Sequence, residues 1–205
     1  MKGRQDADAV NRAGLRLRLL KQQAHAGDNV LLFADESEAL THPYLAHAWA
    51  RRGVELRIEA PGQARKVAMI GALDFADKDL IVTTSRTKRS ADFIALLRRL
   101  DERYAPRPNQ KATPVVLVID NGSIHRSKAS RAALQARSWP TLEWLPKYAP
   151  ELNASENSWR DLKQNFLAHQ TFRDAGHLDS AIHAAVVNLN MERHANMCTN
   201  PRIAA

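Results

Sequence analysis

Two apolar runs in this chain lead into aspartate. Val30-Leu-Leu-Phe-Ala precedes Asp35 and Glu36, and Val115-Val-Leu-Val-Ile precedes Asp120 and Asn121. A glutamate, Glu156, follows with 35 residues between it and Asp120, inside the run Asn153-Ala-Ser-Glu156-Asn-Ser-Trp159-Arg-Asp-Leu-Lys163. Unbroken runs of β-forming apolar residues read as strands covered on both faces, so each aspartate is expected at the exit of a buried strand. An unpaired carboxylate held there costs roughly several kcal/mol, and two close together cost more. A divalent cation removes that penalty, and a set of hard oxygen donors suits Mg²⁺ or Mn²⁺. Side chains alternate along a strand, so Glu36 should face away if Asp35 faces in.

Each acidic residue also has an ordinary structural reading. Asp120-Asn121-Gly122 is a good turn sequence, and Asp35 could be a loop or helix-capping carboxylate. Asn153-Ala-Ser-Glu156 fits a helix capping box, worth about 1 kcal/mol. Arg160, one turn after Glu156, could pair with it on the helix surface. His125 reads either as a capped loop histidine or as a group that contacts phosphate or orients a metal-bound water. Trp159 reads as a core anchor. The remaining histidines, among them His42, His47, His169, His177, His183 and His194, show no metal-ligand spacing.

The elements that must position these residues follow from hydrophobic periodicity. Residues 11–26 read as a basic helix with Leu15 and Leu19 on its inner side, most simply a solvated linker. A strand occupies 30–34, a helical stretch 44–52, and a weakly alternating edge strand 54–59. Residues 66–75 and 80–84 form a hairpin around the loop 76–79. Ser90 caps a helix carrying Phe93, Ile94, Leu96, Leu97 and Leu100. Strand 115–119, helix 128–138 and strand 142–145 come next, then a Pro146/Pro150 loop, a helix from Asn153 to about His169, and a final helix over 178–193. This order describes an α/β chain with a mixed sheet flanked by helices.

With 205 residues and 44% hydrophobic content the chain can form one full domain, expected over 29–205 and preceded by a basic segment or linker at 1–28. Thirty basic against 22 acidic side chains give a formal net charge of +8, which favours a polyanionic partner. A single cysteine, Cys198, excludes an internal disulfide and a cysteine-rich zinc ribbon. No apolar run is long enough to span a bilayer, so a cytoplasmic protein with no membrane partner is expected.

The runs Phe33-Ala-Asp35-Glu36, Val118-Ile-Asp120-Asn121-Gly-Ser-Ile-His125-Arg-Ser127 and Leu145 through Lys163 together resemble the catalytic domain of DDE transposases. More narrowly, they resemble the bacterial insertion-sequence branch of the mariner-like superfamily. The resemblance extends from about Val30 to Ala185 and includes 49–53 and Ile70-Gly-Ala-Leu-Asp74. It implies a ribonuclease-H-like five-stranded sheet in which Asp35, Asp120 and Glu156 bind two Mg²⁺ or Mn²⁺ ions. The implied chemistry is cleavage of transposon ends and transfer of the freed 3′-hydroxyl to target DNA. Asn121, His125 and Asn153 would support that site, while Arg86, Lys88, Arg126, Lys128, Arg160 and Lys163 would hold the DNA backbone. A homodimer on DNA is also implied.

Two departures from the family pattern matter. Proline and an apolar residue usually lie between the equivalents of Asn153 and Glu156, whereas here they are Ala154 and Ser155. The family normally carries helix-turn-helix modules before its first aspartate, and 34 residues precede Asp35 here, so a separately encoded helix-turn-helix half is an expected partner. The alternatives are an inactive remnant that only binds DNA, and a hydrolase of the same fold that does not join strands.

Overall fold

The apolar run that opens at Val30 does not stop at Ala34. In the computed structural model of the chain, which describes residues 6–45, 51–53, 57–59, 62–108 and 112–199, it continues as an 11-residue strand, β1 (Val30–Leu40). β1 is the centre of a five-stranded sheet ordered β3-β2-β1-β4-β5. It pairs antiparallel with β2 (Lys66–Asp74) from Leu32↔Asp74 to Leu40↔Lys66. On its other edge it runs parallel to β4 (Val115–Ile119), but only over Val30–Phe33. Asp35 is therefore inside a strand rather than at its exit, just past the point where β1 loses its β4 neighbour. β2 turns into β3 (Leu80–Ser85), and β5 (Pro140–Trp144) lies parallel to β4, so the sheet is mixed as expected.

Alternation along the strands builds two cores. On one face Leu31, Phe33, Met69, Val116 and Val118 meet α1 (Ala7–Ala26), α5 (Ser155–Asp161) and α6 (Ala175–Thr199). On the other, Leu32, Ala34, Ile70, Leu117 and Ile119 meet α2 (Ser90–Tyr104) and α4 (Lys128–Gln135), with the short α3 (Ser123–Arg126) beside them. Phe93, Leu96, Leu97 and Leu100 recur at helical spacing on α2 and are all fully buried. Each such side chain contributes about 1.5–3 kcal/mol on burial.

Several elements differ from the sequence reading. α1 starts at the Asp6 cap, whose carboxylate accepts from the Ala9 amide, and ends where Gly27 takes φ 79°. It is no solvated linker, because Leu17, Leu20 and Ala24 belong to the core while Leu15 and Leu19 are 63% and 50% exposed. The chain offers two leucine stripes there, and the one spaced i, i+3, i+7 faces the sheet. α5 is shorter than expected, passing into a π-helical turn, Leu162–Phe166. Residues 57–59 form no strand. The rest of the expected 54–59 strand, and residues 46–50 of the expected helix, lie outside the described residues. Among those described, no helix is long and apolar enough to cross a membrane.

Candidate active site

Strand alternation turns Asp35 towards the α5 layer and Glu36 towards the α2 and α3 layer, as the sequence implied. Asp120 follows the last residue of β4, and Glu156 is the second residue of α5. All three line one open cleft of about 380 Å³, whose far wall is the loop from Leu145 to Pro150. Tyr148 in that loop has φ 60°, a conformation that non-glycine residues seldom adopt.

Asn153 fastens α5 to the sheet. Its Nδ2 donates to the Ala34 carbonyl at 3.3 Å, and its Oδ1 accepts from the Ser155 amide at 3.2 Å and from the Ser155 hydroxyl at 2.7 Å. The capping box does not form, because the Asn153 amide donates instead to Pro150 O at 2.9 Å. The expected Glu156–Arg160 pair is replaced by an Arg160 bond to Asn157 Oδ1 at 2.8 Å. Glu156 is thus left facing the cleft. Behind it Trp159 is buried against β2, as an anchor should be. A Cβ on Gly71, the residue paired with Asp35, would come within 2.7 Å of the Trp159 ring and 2.9 Å of Ile81 O. The absence of a side chain there is what lets the indole seat.

The cleft is short of positive charge where Asp35 sits. Burial, then the carboxylate of Glu156 and further those of Glu36 and Asp120, push the Asp35 carboxyl up to about 7. The Ser155 hydroxyl approaches Asp35 Oδ2 at 3.4 Å. Asp120 behaves oppositely: the hydrogen bond from His125 holds it below the usual carboxylate range, helped by the Gly122 amide. Both bonds, at 2.6 and 2.8 Å, fall on Oδ1.

His125 is fully buried in α3, not a loop, and packs edge-on to Phe93 at 4.5 Å. Burial alone would lower its pKa, but the Asp120 bond and the charges of Glu36, Asp120 and Asp35 outweigh that and raise it. Its Nε2 lies 3.5 Å from Glu36 Oε1. Burial also raises Glu36, with His125 opposing. Donor atoms of Glu36, Asp120 and His125 fall within 4.8 Å of one another, a second conceivable metal position. The 2.6 Å contact places a proton between His125 Nδ1 and Asp120 Oδ1 whether the ring is neutral or charged, which takes both atoms out of a metal position there. The carboxylate-only side, with Asp35, Asp120 Oδ2 and Glu156, has the oxygen donors and the unrelieved repulsion that suit Mg²⁺ or Mn²⁺.

The other expected site residues divide into structural and exposed groups. Asn121 spans Leu145 O at 2.5 Å and Arg126 at 2.9 Å, so Arg126 steadies the loop of the cleft. Lys88 pairs with Glu38 at 3.3 Å. Arg86 and Lys128 are exposed. Lys163 lies over the Tyr44 ring at 5.6 Å, and with Arg160 and Glu156 it lines a second cavity of about 280 Å³ that opens beside the first. Sequence reasoning did not anticipate the contact of Ser155 with Asp35 or the approach of Glu36 to His125. Neither carries a spacing signal, since both arise from elements distant in the chain.

The description "DDE superfamily endonuclease" is that of the family model matching residues 30–179. A curated relative, the insertion element IS630 uncharacterized 39 kDa protein of Shigella sonnei, is 28% identical over 137 residues; these cover 67% of this chain and 38% of that protein. Among solved structures, the Mos1 transposase paired-end complex with left transposon end has a TM-score of 0.61 at 16% identity, covering 95% of this chain and 60% of that one. The Mos1 transposase catalytic domain with Raltegravir and Mn has a TM-score of 0.56 at 15% identity, covering 93% of each chain. The chain spans 38% and 60% of the lengths of the first two. The structural likenesses establish the ribonuclease-H-like fold, and the family model, which takes in most of the sequence, establishes that the chain belongs to the DDE superfamily endonucleases.

Proposed function

We propose that this domain cuts DNA and joins the freed 3′-hydroxyl to a target strand during movement of an insertion sequence, with Asp35, Asp120 and Glu156 as its catalytic carboxylates. The observation that carries the reading is the convergence of these three residues, from three separate elements, on one cleft in which, among the described residues, Asp35 has no cationic partner. The family and the Mos1 likeness support DNA as the substrate.

Two Mg²⁺ or Mn²⁺ ions held by these oxygens would supply the Lewis acidity that activates the attacking oxygen and stabilises the leaving one in an in-line displacement. The chain's own residues prepare that chemistry. His125 fixes Asp120 through Oδ1, leaving Oδ2 towards the cleft. Asn153 and Ser155 lock the start of α5 against β1 so that Glu156 and Asp35 face each other. Arg160 and Lys163 lie on the Glu156 side and would hold backbone phosphates, with Arg86 and Lys128 further out. Action on cytoplasmic DNA as a homodimer, with a helix-turn-helix module providing end recognition, completes the proposal.

The test is nicking of labelled DNA carrying the element's ends, together with calorimetric titration of Mn²⁺. Asp120→Asn should abolish nicking and weaken Mn²⁺ binding while the chain stays cooperatively folded, at a stability lowered by loss of the charged partner of His125. Metal-independent nicking that survives the substitution would refute the assignment.

A further inference from the structure

A larger cleft, of about 830 Å³, opens at the end of the sheet where β1 begins, between α1, the β2–β3 turn and α6. It is separated from the catalytic cleft by Asn153, which lines both. Lys21 from α1, Lys78 from the turn and Arg193 from α6 converge on it. The two ammonium groups sit over the same ring, Phe75, at 5.0 and 4.2 Å, so their positions are fixed rather than splayed into solvent. Neither lysine makes an ion pair among the described residues. Burial lowers the pKa of both, and for Lys78 the charges of Arg193 and Lys21 lower it further, with Asp74 opposing.

The turn itself is built at a cost. Lys78 has φ 62°, a left-handed conformation that a hairpin turn normally gives to glycine or asparagine. Arg193 holds it there by donating to Lys78 O at 3.1 Å, while also bonding Ser158 and Asp161 at 3.1 and 3.2 Å. Two carboxylates share the lining. Asp77 is drawn off to Arg103 at 3.4 Å, which leaves Glu151. A cleft in which two lysines without an ion pair among the described residues meet over one ring, beside an Arg193 that Asp161 offsets, and with a strained residue whose ammonium points in, is matched to a multivalent anion.

We propose that this cleft is a second phosphate-binding site, which holds backbone phosphates of a DNA strand passing from the catalytic cleft over Asn153. The proposal rests on the reading of the chain as a DNA-acting domain. It gives α1 a role in substrate binding beyond its part in the core.

The experiment measures anisotropy of a labelled DNA duplex with the full chain, in chelator, across a range of salt concentrations. Each phosphate contact contributes about 0.9 to the slope of log affinity against log salt. The double variant Lys21→Gln, Lys78→Gln should therefore lower the slope by about 1.8, and Lys21→Gln alone by about 0.9. The single variant serves if the altered turn fails to fold. Lys21→Arg with Lys78→Arg should keep the wild-type slope. Arg99→Gln, on the opposite helix layer and matching the single variant in charge loss, should leave it unchanged. If the wild type binds DNA and the lysine variants keep its slope, the second site is refuted and the proposed function stands. Should the wild type bind no DNA but bind tripolyphosphate through these lysines, the cleft takes a free phosphate ligand; both the DNA strand and the DNA-acting reading are then overturned.

Discussion

Replacing Asp35 by asparagine should stabilise the metal-free protein, and by an amount that depends on pH. Asp35 is 9% exposed, and its carboxyl is raised from an ordinary 3.8 to about 7 by burial and by the charges of Glu156, Glu36 and Asp120. Below about pH 4 the group is protonated in both folded and unfolded chains and contributes no pH dependence. Between that point and pH 7 the folded form keeps its proton while the unfolded form loses it, so stability falls as pH rises. Above pH 7 the loss is complete and, at 1.36 kcal/mol per pKa unit, amounts to ~4 kcal/mol. Asp35→Asn removes this dependence. The stability difference between variant and wild type should therefore grow by about 4 kcal/mol from pH 4 to pH 8. Urea unfolding in chelator at both pH values measures it, and comparing the two proteins at each pH largely cancels the titration of other groups. Saturating Mg²⁺ at pH 8 should restore wild-type stability and do much less for the variant. An equal difference at both pH values would refute the argument that Asp35 is buried among unrelieved negative charge.

Three other outcomes follow from named contacts. Gly71→Ala forces a methyl against Trp159 and the Ile81 carbonyl, and should cost about 1–3 kcal/mol in chemical unfolding while displacing α5 enough to reduce cleavage. His125→Gln should destabilise by about 1.5–3 kcal/mol, the usual loss for a hydrogen bond to a charged group. Because the folded histidine pKa is raised, the contribution of His125 is full below the unfolded pKa and fades as pH rises through the folded one, so the deficit should shrink in alkaline unfolding curves. Leu20→Ala should cost about 2–4 kcal/mol, whereas Leu15→Ala should change stability by no more than about 0.5 kcal/mol. Equal effects in thermal unfolding would mean that α1 packs by the other stripe.

The strands at Val30 and Val115 and the hairpin at 66–85 were legible because runs of β-branched and aliphatic residues bounded by turn formers leave few alternatives. The three site carboxylates were singled out from their positions after those runs and from the resemblance they carry. The length of β1 was not legible, since Glu36, Ser37 and Glu38 interrupt the apolar pattern. They are tolerated because β2 continues to pair along that edge after β4 has ended. The inner face of α1 was misread because leucine stands at 15, 17, 19 and 20, and only the docked sheet chooses between the stripes. The capping box at Asn153 obeyed the local rule but was overridden by tertiary contacts, as Pro150 took the amide and Ala34 the side chain. His125 belongs to the same class. Its burial and its bond to Asp120 depend on α3 folding back beneath the strand end, which five residues of sequence do not announce.

The most direct measurement is joining of a pre-cut, labelled DNA end to a target duplex in Mg²⁺ or Mn²⁺, comparing wild type with Glu156→Gln, whose side chain keeps its shape and loses its charge. Metal-dependent joined products from the wild type, and none from a Glu156→Gln protein that folds and still binds the same DNA, are the predicted result. Joined products of equal yield from both proteins would contradict the assignment of Glu156 to the catalytic set.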